Sequence, residues 1–72
     1  MKNSKKYIIK VVGYDMWVVD TKLNDETLYL MPMLTVFRKN ATEYAKNRAE
    51  EIVNILNYQA KYEKYILKEV EL

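Results

Sequence analysis

Seventy-two residues, 8.7 kDa in all, hold one small domain and leave no room for a second core. Half of the residues are hydrophobic and 31% are charged, a globular rather than a disordered composition, and the formal charge is only +2. With no Cys and no His, disulfides, Cys/His zinc sites and catalysis by either side chain are excluded.

A chain this short sits near the lower limit of self-sufficiency. Below about 70–80 residues a core rarely supplies more than roughly 3–5 kcal/mol without a disulfide, a metal or a partner. Seven Tyr, four Met, one Trp and one Phe exceed what one small core needs, so part of this apolar material is expected on the surface. No stretch approaches the roughly 20 apolar residues of a membrane span. The basic start is followed by an apolar run, Tyr7 to Val12, that Lys10 interrupts and no small-residue cleavage site closes. The chain therefore reads as a cytoplasmic protein with no membrane partner, whose residues 1–5 fray.

Tyr7–Val12 is β-branched and aromatic and stops at Gly13; Met16–Asp20 follows, so the two read as a β-hairpin. Asn24-Asp25 marks the next turn. Thr27–Met31 reads as a third strand, stopped or bent by Pro32. Met33–Arg38 is either a short fourth strand or an extended lead-in to a helix. Asn40 has the chemistry of an N-cap and Glu43 stands three residues on, the spacing of a capping box. From there Ala41, Ala45, Ala49, Ile52, Val53 and Leu56 recur at helical intervals, which predicts a helix ending near Asn57. In Tyr62–Leu72 a helix and a strand both fit; the Tyr, Ile and Val content favours a strand with Tyr62, Ile66 and Val70 on one side. The fold class is therefore α+β: an antiparallel sheet of three to five strands, order β-β-β-(β)-α-β, with one helix packed across one face.

Chemistry finds little support. The commonest general base is missing, the one serine lies in the lysine-rich start, and one glycine builds no phosphate loop. The acid pairs Asp25-Glu26 and Glu50-Glu51 have the look of solvated turn and helix surfaces. The expectation is a non-enzyme with no cofactor and no metal. Binding is better served. Tyr14 is placed at a hairpin tip with Trp17 just beyond it, and Tyr58, Tyr62 and Tyr65 gather between helix and last strand. Tyrosine and tryptophan bury much area with few torsions to freeze. Trp17 is also the natural aromatic to complete the core, while Tyr14 is expected outside. Asp15, Asp25 and Glu26 give that region charge to set against a basic partner. A second set, Lys2, Lys5, Lys6 and Lys10 with Arg38, Lys39 and Arg48, offers a nucleic-acid alternative, although ten acids nearly cancel the total charge. Pairing of edge strands or tyrosines across a twofold axis, giving a homodimer, is the third reading.

The succession Tyr7-Ile8-Ile9-Lys10-Val11, hairpin, Leu28-Tyr29-Leu30, then Phe37 leading into Ala41-Thr42-Glu43-Tyr44-Ala45, resembles small accessory proteins of phages and mobile elements of low-GC Gram-positive bacteria. That group includes anti-CRISPR and other anti-defence or host-takeover inhibitors. The resemblance is one of layout, spans most of the chain and transfers no functional residue. It implies action by binding: a non-catalytic domain occluding a site on a host protein complex, such as a CRISPR effector.

Overall fold

The computed structural model describes residues 5–70. Its elements are β1 (Lys6–Val11), β2 (Trp17–Leu23), β3 (Leu30–Thr35), a single 3-10 turn (Arg38–Asn40), β4 (Tyr44–Ala45), α1 (Lys46–Gln59) and β5 (Tyr65–Glu69). All strand pairings are antiparallel, and α1 packs across one face of the sheet. The α+β expectation holds, and within the ambiguous last segment Tyr65–Glu69 is a strand, preceded by a connection that includes residues 62–64; the final two residues lie outside the described part.

β1 is the central strand, because alternation gives it a core face of Tyr7, Ile9 and Val11 and because it has both edges paired. β5 covers one edge along its length, from Tyr7↔Glu69 to Val11↔Tyr65. The other edge is shared: β2 takes the Lys10 end and the two residues of β4 take Lys6 and Tyr7. Room for β4 arises where β2 carries a bulge between Val18 and Asp20. Thr42 fills the gap, its amide donating to the Val18 carbonyl (3.2 Å) and its hydroxyl to that of Val19.

Against this sheet α1 lays Ala49, Ile52, Val53 and Leu56, which meet Ile9, Val11, Val18 and Tyr65 in one buried cluster. The helical stripe is therefore correct in its second half and wrong in its first. Asn40 does not cap α1: it closes the 3-10 turn, residues 41–45 run extended, and the helix starts at Lys46 behind Ala45, which makes no side-chain cap bond. The non-local pairing of Tyr44 and Ala45 with β1 outweighs the local capping-box preference. The carboxyl end of α1 runs to Gln59, two residues past the expected stop.

Pro32 neither stops nor starts a strand; it sits inside β3, opposite Thr21. That is allowed because β3 lies at the edge of the sheet and Leu30, Pro32 and Leu34 alternate outward from β2. Leu30 has its N–H and C=O taken by the Gln59 side chain, and Pro32 has no N–H to offer. Two of the three outward positions are thus closed to a further strand, a common protection of exposed edges. Met33–Thr35 completes this strand, so of the two readings of Met33–Arg38, a separate short strand or an extended lead-in to the helix, neither describes it: its first half belongs to β3 and Arg38 opens the 3-10 turn.

The side chain of Tyr65 is only 6% exposed and, with Leu67, forms the core side of β5. Ile66, of the set read from sequence as sharing one side, is on the opposite parity and faces away from the core. Burial, then the charge of Glu63 and the nearby Tyr29, raise the Tyr65 phenol above its ordinary value. Tyr44 is raised as well, by burial and then by Asp20, against the lowering pull of Arg48 and a hydrogen bond with Thr42. A phenol held higher in the folded state than in the unfolded one contributes stability that is intact below the unfolded value and lost as pH rises past it. The urea midpoint should accordingly fall between about pH 9 and pH 11. Tyr65→Phe should lessen that fall, and an unchanged pH dependence in this variant would refute the assignment.

Candidate functional site

Local pairing brings three connections to the carboxyl end of α1. The first is the β1–β2 turn, residues 12–16, where Gly13 adopts φ +88. The Val12 amide donates to the Lys64 carbonyl at 2.8 Å, so this turn lies beside the second connection, residues 60–64 between α1 and β5. The third is the β2–β3 turn, residues 24–29, built by the Asn24 side chain accepting from the Glu26 and Thr27 amides at 2.9 and 3.2 Å.

Two carboxamides hold this arrangement. Asn57 accepts from the Tyr65 amide (2.7 Å) and donates to the Tyr65 carbonyl (3.0 Å), as a neighbouring strand would. Gln59 does the same for Leu30: its Oε1 accepts from the Leu30 amide at 3.0 Å and its Nε2 donates to the Leu30 carbonyl. One side chain thus fixes where β5 begins and the other ties the far hairpin to the helix. Sequence reasoning missed both residues. Two amides near the end of an amphipathic helix read as solvent-facing positions, and nothing local marks their strand partners.

The site residues expected from sequence divide as follows. Tyr14 and Asp15 lie exposed on the first connection, Asp25 and Glu26 on the third, and Tyr58 and Tyr62 are 93% and 85% exposed at the helix end and the second connection. These six converge on one pole. Tyr65 does not belong with them: it is buried in the core, and its expected role as a partner contact is corrected. Trp17 is half-buried but not part of the core cluster. Its pairing with Lys10 turns it to the sheet face away from α1, with the Lys10 ammonium 6.0 Å from its ring centroid.

Residues not foreseen join the pole. Leu28 is 71% exposed at φ 60, a left-handed conformation that a γ-branched residue rarely adopts, and Tyr29 follows it, also exposed. Asp15, Asp25, Glu26 and Glu63 stand there against Lys61 and Lys64, and the last turn of α1 carries no basic side chain to answer its carbonyl end. The pole is aromatic and mildly acidic. A shallow depression of about 210 Å³ flanks it, between Lys22, Leu23, Asn24 and Met31.

The basic set expected for nucleic acid does not assemble. Lys2 lies outside the described residues. Lys5 pairs with Glu69 (3.4 Å) and Arg48 with Glu51 (2.8 Å), while Arg38 and Lys39 sit on the 3-10 turn. Lys6 and Lys10 alone share a surface, the open face of the sheet. Among the described residues, no helix is long and apolar enough to cross a membrane. No family model, curated protein or solved structure matches the chain.

Proposed function

We propose that this protein is a non-catalytic binding module that docks by its aromatic, acidic pole onto a basic surface of a larger protein. In this reading it acts as an inhibitor of the phage accessory type, anti-CRISPR inhibitors included. It would work stoichiometrically in the host cytoplasm by occluding a surface that a host complex uses for nucleic acid.

The observation that carries the reading is the convergence of three connections at the end of α1, where Tyr58, Tyr62 and Leu28 are more than two-thirds exposed. Leu28 weighs most. A leucine held at φ 60 costs about 1–2 kcal/mol relative to right-handed backbone, and its exposed side chain returns little burial in the free protein. Contact with a partner gives that side chain a use. Exposed aromatics beside carboxylates are suited to a cationic protein surface, where rings supply area and charges supply orientation.

Nuclease-treated lysate capture with tagged protein, read by mass spectrometry, is the test. A single stoichiometric protein partner is expected, lost when Tyr58 and Tyr62 are both changed to Ala. Leu28→Asn should weaken the capture while raising stability by up to about 1 kcal/mol, because Asn tolerates the left-handed region. Capture unaffected by all three substitutions would contradict the pole as the docking surface.

A further inference from the structure

The sheet face opposite α1 is covered by no element among the described residues, and its composition differs sharply from the rest of the surface. On β1 it presents Lys6, Ile8 and Lys10; on β5, Ile66 and Lys68, with Ile8↔Lys68 and Lys10↔Ile66 as direct cross-strand partners. The Val12–Lys64 bond carries the ladder one step further and adds Lys64 to the same side. Lysine and aliphatic side chains therefore alternate both along and across the two strands. Ile8 is buried to 3% on this face, with Lys6 and Lys10 two residues to either side of it and Lys68 directly opposite.

On the other half of the face stand Trp17, Lys22 and the exposed Met31 and Met33, with Asp20. Five lysines thus meet one carboxylate, whereas the whole protein is only +2. The two ion pairs among the described residues involve neither these lysines nor Asp20. Lys10 is engaged by the Tyr14 carbonyl at 2.7 Å and lies over Trp17, while Asp20 accepts from the Thr21 amide. Lys6, Lys22, Lys64 and Lys68 form no ion pair among the described residues.

We infer that this open face binds single-stranded nucleic acid without sequence preference. The unpaired lysines match a phosphate backbone. The exposed Ile66 beside them, with Met31, Met33 and the half-buried Trp17 across the face, offers bases an apolar surface that a duplex would keep them stacked away from. This surface borders the pole at Lys22, Met31 and Lys64 but includes none of its exposed tyrosines, and neither proposal depends on the other.

The probe is a fluorescein-labelled oligothymidylate titrated with protein across a range of salt concentrations, read by anisotropy. Binding should weaken with salt along a log–log slope of about −2, from roughly three phosphates neutralised. Lys6→Gln with Lys68→Gln should lower the affinity about tenfold at low salt and flatten the slope by about 1.4. Lys6→Arg with Lys68→Arg should preserve both, as should Tyr58→Ala with Tyr62→Ala at the pole. Circular dichroism confirms that each variant is folded. No binding at low salt, binding indifferent to the glutamine pair, or equal affinity for duplex of the same length would overturn the inference. Binding only to vesicles of phosphatidylcholine and phosphatidylserine would overturn it too.

Discussion

Ile52→Ala should leave a large share of the protein unfolded in water at 25 °C. Ile52 is 1% exposed and sits at the centre of a cluster of eight buried residues. Removing three carbons from such a position costs about 2–5 kcal/mol, the spread depending on how far the cavity collapses. A domain of this length without disulfide or metal has roughly 3–5 kcal/mol in total. The loss and the reserve are the same size, so the effect is close to all-or-none. Urea titration followed by circular dichroism gives the comparison. Ile52→Val should cost only about 0.5–1.5 kcal/mol and remain folded. Ile55→Ala, one turn position away but exposed, should stay within about 1 kcal/mol of the parent. Equal effects at Ile52 and Ile55 would mean that α1 packs by a different face.

Asn57→Leu should be nearly as damaging, for a polar reason. It removes both partners of the Tyr65 backbone at a half-buried site, and each orphaned group costs about 1–3 kcal/mol. The damage falls on the residue that begins β5 and also belongs to the core. Gln59→Leu makes the same deletion at Leu30, yet its consequence should be local. The hairpin keeps its own ladder from Trp17↔Thr35 to Leu23↔Leu30 and merely loses its tie to α1. Amide hydrogen exchange separates the two cases. Gln59→Leu should speed exchange at Leu30 with little change in the core. Asn57→Leu should speed exchange throughout. The reverse ranking would show that the hairpin, rather than β5, is the element on which the fold depends.

What could be read in advance follows from the range of the forces involved. β1, the start of β2 and the Ala49–Leu56 stripe are written in short-period alternation, so each was legible from neighbours alone. The start of α1 was not. Asn40 and Glu43 make a sound capping box, and the stripe extends back through Ala45 and Ala41, but Thr42 and Tyr44 find strand partners more than twenty residues away. Pro32 misled for the same reason, since a proline is compatible with a strand only once that strand is known to lie at an edge. Tyr65 lies in the core and Trp17, for which both a core and a contact role were open, lies outside it, because one step of register decides which face a strand residue takes.

The pole was half legible. Its aromatics and acids stand out individually, yet they come from connections that span residues 12 to 64, and only the pairing of Val12 with Lys64 and of Leu30 with Gln59 brings those together. The lysine–isoleucine alternation of the open face is visible in Lys6-x-Ile8-x-Lys10 and in Lys64-x-Ile66-x-Lys68. It becomes one surface only when β1 and β5 lie side by side.

The measurement that bears most directly on docking by the pole is hydrogen exchange on the protein alone and in complex with its captured partner. Protection is expected in residues 12–16, 24–29 and 60–64 together, with the β3 edge exchanging as in the free protein. Protection confined to β3, or spread over the exposed side of α1 with the three connections unchanged, would contradict it.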